Sequence, residues 1–231
     1  MNIVKGSFYV LFLSYKKQNI IFWSIITSIV LLSFFLNHAF SENIHFLLSI
    51  SIPVYIFYSI MASKLINKTM PYFLKLGVNR VQYIAIIGLF FVTWSIVGAL
   101  IIGLFHEGIT LLSSSLNIKN AILIHPILLF NVEHPFMQTF LLDAVLLINA
   151  LMFGLFINMM FYRFGTIGGY SYIGCLVFVP IATVIFDLYE SLLTVFNDLT
   201  FISFITFLIL ISIIFYVLIA SSLRKVPAIP A

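Results

Sequence analysis

Long runs of apolar residues alternate with short polar segments along the whole chain. A helix needs about 20 apolar residues to cross a hydrocarbon core of about 30 Å, and its backbone amides must be paired within the helix. Six runs meet this requirement. They lie near residues 19–40, 44–62, 81–105, 139–162, 169–186 and 199–220. The pattern therefore predicts an all-α, polytopic integral membrane protein with six transmembrane helices and one membrane domain over residues 1–231.

Two further segments are too short to cross the membrane but carry apolar residues at helical spacing. The run from Gly6 to Tyr15 precedes the first span and predicts an N-terminal interfacial helix at the membrane surface. The segment from Asp187 to Asp198 predicts an extracytoplasmic re-entrant helix. Its apolar residues at helical spacing are Leu188, Leu192, Val195 and Phe196.

The composition excludes a water-soluble globular protein. Hydrophobic residues make up 63% of the chain and charged residues 8%, whereas soluble domains carry about 25% charged residues. The single cysteine, Cys175, excludes an intramolecular disulfide and a metal site built from several cysteines. The fold must therefore come from helix packing.

The charged residues are sorted between the two predicted sides of the membrane. Ten of the eleven Lys and Arg residues fall on one side, and all seven acidic residues fall on the other side together with Lys119. The basic residues on the first side are Lys5, Lys16, Lys17, Lys64, Lys68, Lys75, Arg80, Arg163, Arg224 and Lys225. Because Lys and Arg are retained on the cytoplasmic side, both termini are predicted to be cytoplasmic in a plasma membrane. The excess of basic residues therefore serves to orient the chain in the membrane. We predict no nucleic-acid partner.

The loop from Ser63 to Arg80 carries the signals of a short helix between spans two and three. Thr69 is a candidate cap at its start, and Pro71 fits the first turn, where its missing amide proton is harmless. Lys75 falls in the last turn, and Gly77 can adopt the left-handed conformation that ends a helix. The sequence predicts a cytoplasmic coupling helix here.

A second signal joins this short helix to span three. Asn79 and Gln82 have the spacing of a capping box, which predicts a tight corner ahead of the span. Tyr72, Phe73 and Leu74 provide an apolar and aromatic face, and the surrounding basic residues provide a polar rim. Two interpretations stay open: the basic residues only fix topology and touch anionic lipid, or the corner binds a protein partner.

The stretch from Met70 to Tyr83 resembles the cytoplasmic segment of ABC-2 type transporter permeases, in which a hydrophobic turn, Leu-Gly-Val and an Arg lead into the third span. The chain is similar in size and composition to short six-span permeases of Gram-positive peptide and bacteriocin exporters, including phenol-soluble modulin export systems. The resemblance implies a coupling helix that contacts cytoplasmic ABC ATPase subunits, and a second six-span permease, either the same chain or a paralogue. The predicted outer loop over 107–138 is longer than such permeases lead one to expect.

The chain has no Gly-x-x-x-x-Gly-Lys-Ser/Thr loop for binding nucleotide phosphates. We therefore expect ATP and Mg to bind the partner ATPase, and we expect no directly bound cofactor and no catalytic residue in this chain. The residues predicted to couple to the ATPase are Thr69, Pro71, Tyr72, Phe73, Lys75, Gly77 and Arg80.

Mildly polar residues within the predicted spans are candidates for a translocation path. They are Ser49, Pro53, Asn149, Asn158 and Pro180. Ser commonly bonds back to its own helix and Asn often joins two helices, so packing roles stay open for both residue types. The two prolines predict bends in spans two and five. A weakly polar path favours amphipathic peptides or lipid-like molecules as cargo.

The glycines near span five and the histidines form two further clusters. Gly165 and Gly169 have the spacing that lets helices approach closely, which predicts tight packing or a bend between spans four and five, with a dimer contact as the alternative. The five histidines lie on the outer side with acidic residues but without a recognised ligand spacing, so we predict no metal site.

An alternative to export is a non-transporting immunity or sensor subunit that binds peptides at the acidic outer face.

Overall fold

The computed structural model describes residues 3–39, 46–115, 121–130, 135–191, 194 and 199–225. The helices are α1 (Ile3–Ala39), α2 (Ser51–Ala62), α3 (Met70–Lys75), α4 (Arg80–Ser115), α5 (Pro135–Ile185) and α6 (Phe201–Lys225). A π-helical turn, Leu65–Thr69, precedes α3, and a 3-10 turn covers Pro126–Leu129. Two three-residue strands, β1 (Phe46–Leu48) and β2 (Ala121–Leu123), pair in parallel with Phe46 beside Ala121. The predicted helical class is confirmed apart from this one short strand pair.

Four stretches within these helices are long and apolar enough to cross a membrane. They are Lys5–Leu36, Arg80–Ser115, Phe136–Ile185 and Phe201–Arg224. By length and composition, the chain is therefore a membrane protein. The helix α2, with 12 residues, is shorter than a typical membrane span.

The long helix α5 reverses its direction at Gly165. Phe156 and Tyr172 are sixteen residues apart, which in a straight helix corresponds to about 24 Å along the axis. Their ring centroids nevertheless lie 5.3 Å apart. Gly165 has the non-helical dihedrals φ 67° and ψ −166° at the turning point. Residues 135–164 and 166–185 are therefore two antiparallel arms, which correspond to predicted spans four and five.

Glycine allows the two arms to approach each other near this turn. A Cβ atom at Gly169 would lie 2.2 Å from Cδ1 of Phe161. The ring of Phe161 also meets that of Tyr170 edge to face, with centroids 5.4 Å apart. The bend at Gly165 and the tight packing at Gly169 that the sequence predicts as alternatives are thus both present.

The chain divides into two compact units. The first consists of Met1–Phe57 and Leu89–Leu147, and the second consists of Tyr58–Gly88 and Ile148–Ala231.

In the first unit, α1 is one unbroken helix of 37 residues. The buried positions of α1 recur mostly every four residues and form one stripe along the helix. They are Ser7, Leu11, Tyr15, Asn19, Ile26, Val30 and Phe34. The predicted separate interfacial helix over Gly6–Tyr15 is wrong, because this stripe packs continuously and the helix does not break at Lys16 and Lys17.

The helices α1 and α4 run side by side in the same direction. The ring of Phe12 lies 5.6 Å from Trp94, and the ring of Trp23 lies 4.9 Å from Phe105. Lys16 is therefore level with the part of α4 between Trp94 and Phe105. The predicted spans 19–40 and 81–105 are consequently offset from each other along the helix axes. Lys16 lies beside the predicted third span and not before its start.

Two further expectations for the first unit are corrected. The predicted second span, 44–62, contains β1, and α2 begins only at Ser51. Pro53 therefore lies in the first turn of α2, where the N–H that proline lacks would have no partner within the helix, so it does not bend the helix. The predicted outer loop over 107–138 contains regular secondary structure, because α4 continues to Ser115 and β2 and the 3-10 turn follow.

In the second unit, α5 ends at a left-handed residue. Asp187 has φ 52°, its N–H bonds to the carbonyl of Val184, and the N–H of Leu188 bonds to the carbonyl of Thr183. These are the two hydrogen bonds of a Schellman motif. The turn falls where the re-entrant segment is predicted to begin, but Leu192, Val195 and Phe196 of that segment lie outside the described residues.

Candidate functional site

The predicted coupling segment forms a rigid corner, which comprises residues 65–83. The carbonyl of Leu65 accepts the N–H of Met70, which closes the π-helical turn. The same carbonyl accepts the phenolic O–H of Tyr83 at 2.8 Å. The rings of Phe73 and Tyr83 pack with centroids 5.6 Å apart. Side chains of α3 and α4 therefore hold the two ends of the corner together.

The end of α3 has the predicted geometry. Gly77 has φ +84°, in the left-handed region. Its N–H bonds to the carbonyl of Leu74 at 3.1 Å, and the N–H of Val78 bonds to the carbonyl of Phe73 at 3.1 Å. This pair of bonds is a Schellman motif, and both Val78 and Phe73 are buried. The prediction that Gly77 terminates the helix is confirmed.

The start of α4 also has the predicted geometry. The N–H of Asn79 donates to Oε1 of Gln82 at 3.1 Å, and the N–H of Gln82 donates to Oδ1 of Asn79 at 2.8 Å. This reciprocal pair is the capping box that the sequence predicts. The corner therefore turns sharply between two helix ends whose backbone groups are satisfied.

One predicted cap is wrong. Thr69 has helical dihedrals, and its side chain makes no capping hydrogen bond. The π-helical turn runs directly into α3, so the carbonyl of Leu65 already accepts the first amide of α3. Pro71 lies in the first turn of α3 and Lys75 in its last turn, as predicted.

The corner has one buried face and one exposed face. Phe73, which the sequence places on the partner-facing surface, is fully buried and belongs to the core instead. Tyr72 and Leu76 are 50% and 57% exposed. Lys64, Lys68 and Lys75, which are close to them in the chain, are also exposed. The exposed face is therefore a small aromatic and apolar patch with lysines around it, which we call the corner patch.

Two arginines bind the C-terminal end of α6. Nη1 of Arg80 donates to the carbonyl of Leu223 at 3.3 Å, and Nη1 of Arg163 donates to Oγ of Ser222 at 3.0 Å. The last carbonyls of a helix lack partners within the helix and carry partial negative charge, so guanidinium groups stabilise them. Arg80 thus ties the corner to α6, a role that its position in the sequence did not indicate.

The predicted path residues have different surroundings. Oγ of Ser49 is buried without a hydrogen-bond partner, and Pro53 lies in the first turn of α2. In the second unit, Nδ2 of Asn149 donates to the carbonyl of Leu208 and so joins α5 to α6. Asn158 is buried there, whereas Pro180 lies inside α5 and is exposed. The role of all five in a path stays a prediction, and Asn149 has a clear packing role.

A buried polar network in the first unit was not predicted from the sequence. Asp143, which the sequence places at the outer end of span four, is completely buried. Its Oδ1 accepts a hydrogen bond from the hydroxyl of Tyr55 on α2 and lies 3.0 Å from Nε2 of His125. The ring of His106 on α4 meets His125 edge to face at 4.9 Å. The network therefore connects α2, α4, α5 and the segment after β2.

Hydrogen bonding fixes the protonation pattern of His125. Its Nδ1 accepts the N–H of Ile127 at 3.0 Å. Since Nδ1 is an acceptor, the proton of the neutral ring is on Nε2, which donates to Asp143. Both ring nitrogens are thus used, so His125 is placed to orient Asp143 and not to act as a base for a nucleophile. Oδ2 of Asp143 has no hydrogen-bond partner.

We expect Tyr55→Phe to lower the free energy of unfolding by about 1–2 kcal/mol, because Asp143 loses a hydrogen bond in a buried site. The check is denaturant or thermal unfolding of the protein in detergent. Tyr9→Phe is the control, since Tyr9 is 63% exposed. Equal stability of the Tyr55→Phe and Tyr9→Phe variants would contradict the importance of this network.

Comparison with protein families, curated proteins and solved structures finds no match. The function of the candidate site is therefore inferred from its own residues. Within the described part of the chain, no group of three or more His, Cys, Asp or Glu side chains could hold a metal ion. The corner patch is the described feature that best fits contact with a partner.

Proposed function

We propose that this chain is the membrane-spanning permease subunit of an ATP-driven ABC exporter of the ABC-2 type. It forms half of the translocation path and couples to a separate cytoplasmic ATPase, which binds ATP and Mg. The second half is another six-span permease, either the same chain or a paralogue. The cargo class is amphipathic peptides or lipid-like molecules.

The observation that carries this proposal is the construction of the corner. Tyr72 is half-exposed on a helix of only six residues, and Leu76 is half-exposed at the C-terminal cap of this helix. A Schellman motif, a capping box and the hydrogen bond between Tyr83 and Leu65 fix this helix. A rigid exposed apolar patch with a basic rim has the anatomy of a protein interface. Because Arg80 connects the corner to α6, a displacement of the corner patch by a bound partner would be transmitted directly to this membrane helix.

The proposed topology has six spans and two cytoplasmic termini. The spans would be α1, α4, the two arms of α5, and α6, together with residues 46–62, in which α2 is extended by the residues that precede it. Arg80 and Arg163 both contact the same end of α6, which supports a common side for these cations. This placement agrees with the sorting of Lys and Arg along the sequence.

The test is affinity purification of the tagged full-length chain from its native membrane in mild detergent. We expect a soluble ATPase with a phosphate-binding loop to co-purify, and we expect its ATP hydrolysis to rise when the permease is present. An unrelated six-span protein from the same extract is the control. Recovery of the chain without any ATPase, but with bound peptide, would favour the immunity or sensor alternative and contradict coupling.

A further inference from the structure

A groove of about 670 Å³ lies between α1 and α4 in the first unit. Its volume is within the range of pockets that hold small ligands, about 300–1,000 Å³. Its walls are almost entirely apolar and aromatic, and Val97, Phe105 and both tryptophans of the chain, Trp23 and Trp94, line it. Ring contacts hold these walls: Trp94 packs on Phe12 and Trp23 packs on Phe105.

Two polar side chains from α1 break this apolar lining. Lys16 is an exposed cation that lines the groove. Asn19, one helical turn further, also lines the groove, is 8% exposed, and its Oδ1 has no hydrogen-bond partner. The hydroxyl protons of Ser24 and Thr27 bond back to carbonyls of α1. The indole Nε1 atoms of Trp23 and Trp94 are buried and also have no hydrogen-bond partner. Lys16 is therefore the charged group that a ligand in this groove would meet.

From this arrangement we infer that the groove between α1 and α4 binds an anionic phospholipid. The ammonium group of Lys16 contacts the lipid phosphate, and the acyl chain lies along Trp23, Val97 and Phe105. Charge complementarity favours this occupant, because cationic side chains in apolar membrane surroundings pair with anions. The stem of Lys16 lies along the apolar wall while its charge reaches the headgroup. This inference does not depend on coupling to an ATPase.

The two tryptophans provide a direct assay, because both line the groove and the chain contains no other tryptophan. The full-length protein is reconstituted into phosphatidylcholine vesicles with increasing fractions of brominated phosphatidylglycerol or of brominated phosphatidylcholine. Bromine on an acyl chain quenches tryptophan emission at short range. We expect phosphatidylglycerol to be preferred by about fivefold, the effect of one lysine near an anionic surface.

The matched variants are Lys16→Gln and Lys17→Gln, which remove the same charge from neighbouring positions. Lys17 is exposed but does not line the groove. Lys16→Gln should abolish the preference, whereas Lys17→Gln and Lys16→Arg should keep it. Equal quenching by the two lipids in the unmodified protein would overturn the inference, and so would an equal loss in both Gln variants. Reversal of the preference by inorganic phosphate would also overturn it, because the site would then bind the free anion.

Discussion

Gly154→Ala should destabilise the protein by about 1–3 kcal/mol or prevent its folding, because there is no space for the added methyl group where two helices pack closely. Gly154 lies in the first arm of α5, and a Cβ atom there would lie 1.9 Å from the carbonyl oxygen of Ser59 on α2. The carbonyl carbon and Cα of Ser59 would lie within 3 Å as well. All three atoms are backbone, so relief requires α2 as a whole to move. Glycine is the residue that permits such close approach of membrane helices.

Gly174→Ala is the matched control for this prediction. Gly174 is helical and lies in the second arm of α5, and a Cβ atom there would have no neighbour within 4 Å. Alanine should be neutral there or stabilising by about 0.5–1 kcal/mol, since it restricts the unfolded chain. Thermal unfolding in detergent and the fraction of monodisperse protein measure both variants. A Gly154→Ala variant as stable as Gly174→Ala would show that α2 and α5 are not in contact at this point.

The features predicted correctly from the sequence are those formed by residues close together in the chain. The capping box joins Asn79 to Gln82, and the Schellman motif at Gly77 needs only its own helical turn. Residue type and spacing determine such bonds almost alone. The turn at Gly165 belongs to the same class, because a reversal between two helices needs a residue that tolerates positive φ.

The features that the sequence did not predict depend on tertiary packing. Tyr55 and Asp143 are 88 positions apart, and no local pattern marks them as partners. The interfacial helix was expected because Lys16 and Lys17 interrupt an apolar run, but packing against α4 keeps α1 continuous through both lysines. Phe73 was assigned to the exposed surface because aromatic residue type does not reveal which face of a six-residue helix is buried.

Substitution of the exposed residues of the corner patch is the second change for which we expect a large effect. Tyr72→Ala combined with Leu76→Ser should weaken ATPase binding by at least about 30-fold, since tyrosines at interfaces commonly contribute about 2 kcal/mol. Both side chains are at least half exposed, so the free permease should keep its stability to within about 0.5 kcal/mol. Binding to the co-purified ATPase and stimulation of ATP hydrolysis are measured with the permease in lipid nanodiscs.

Two further variants separate docking from a general loss of structure. Leu188→Ser with Tyr189→Ala removes a similarly exposed leucine and tyrosine just after the end of α5. The proposed topology puts these two residues on the outer side, so this variant should leave ATPase binding unchanged. Phe73→Ala removes a fully buried ring and should lower the free energy of unfolding by about 3–5 kcal/mol. Because Phe73 packs on Tyr83, its loss would weaken coupling only together with stability. If the Tyr72 and Leu76 variant bound the ATPase normally, the corner would be a structural turn, and the force-transmitting contact would have to lie elsewhere.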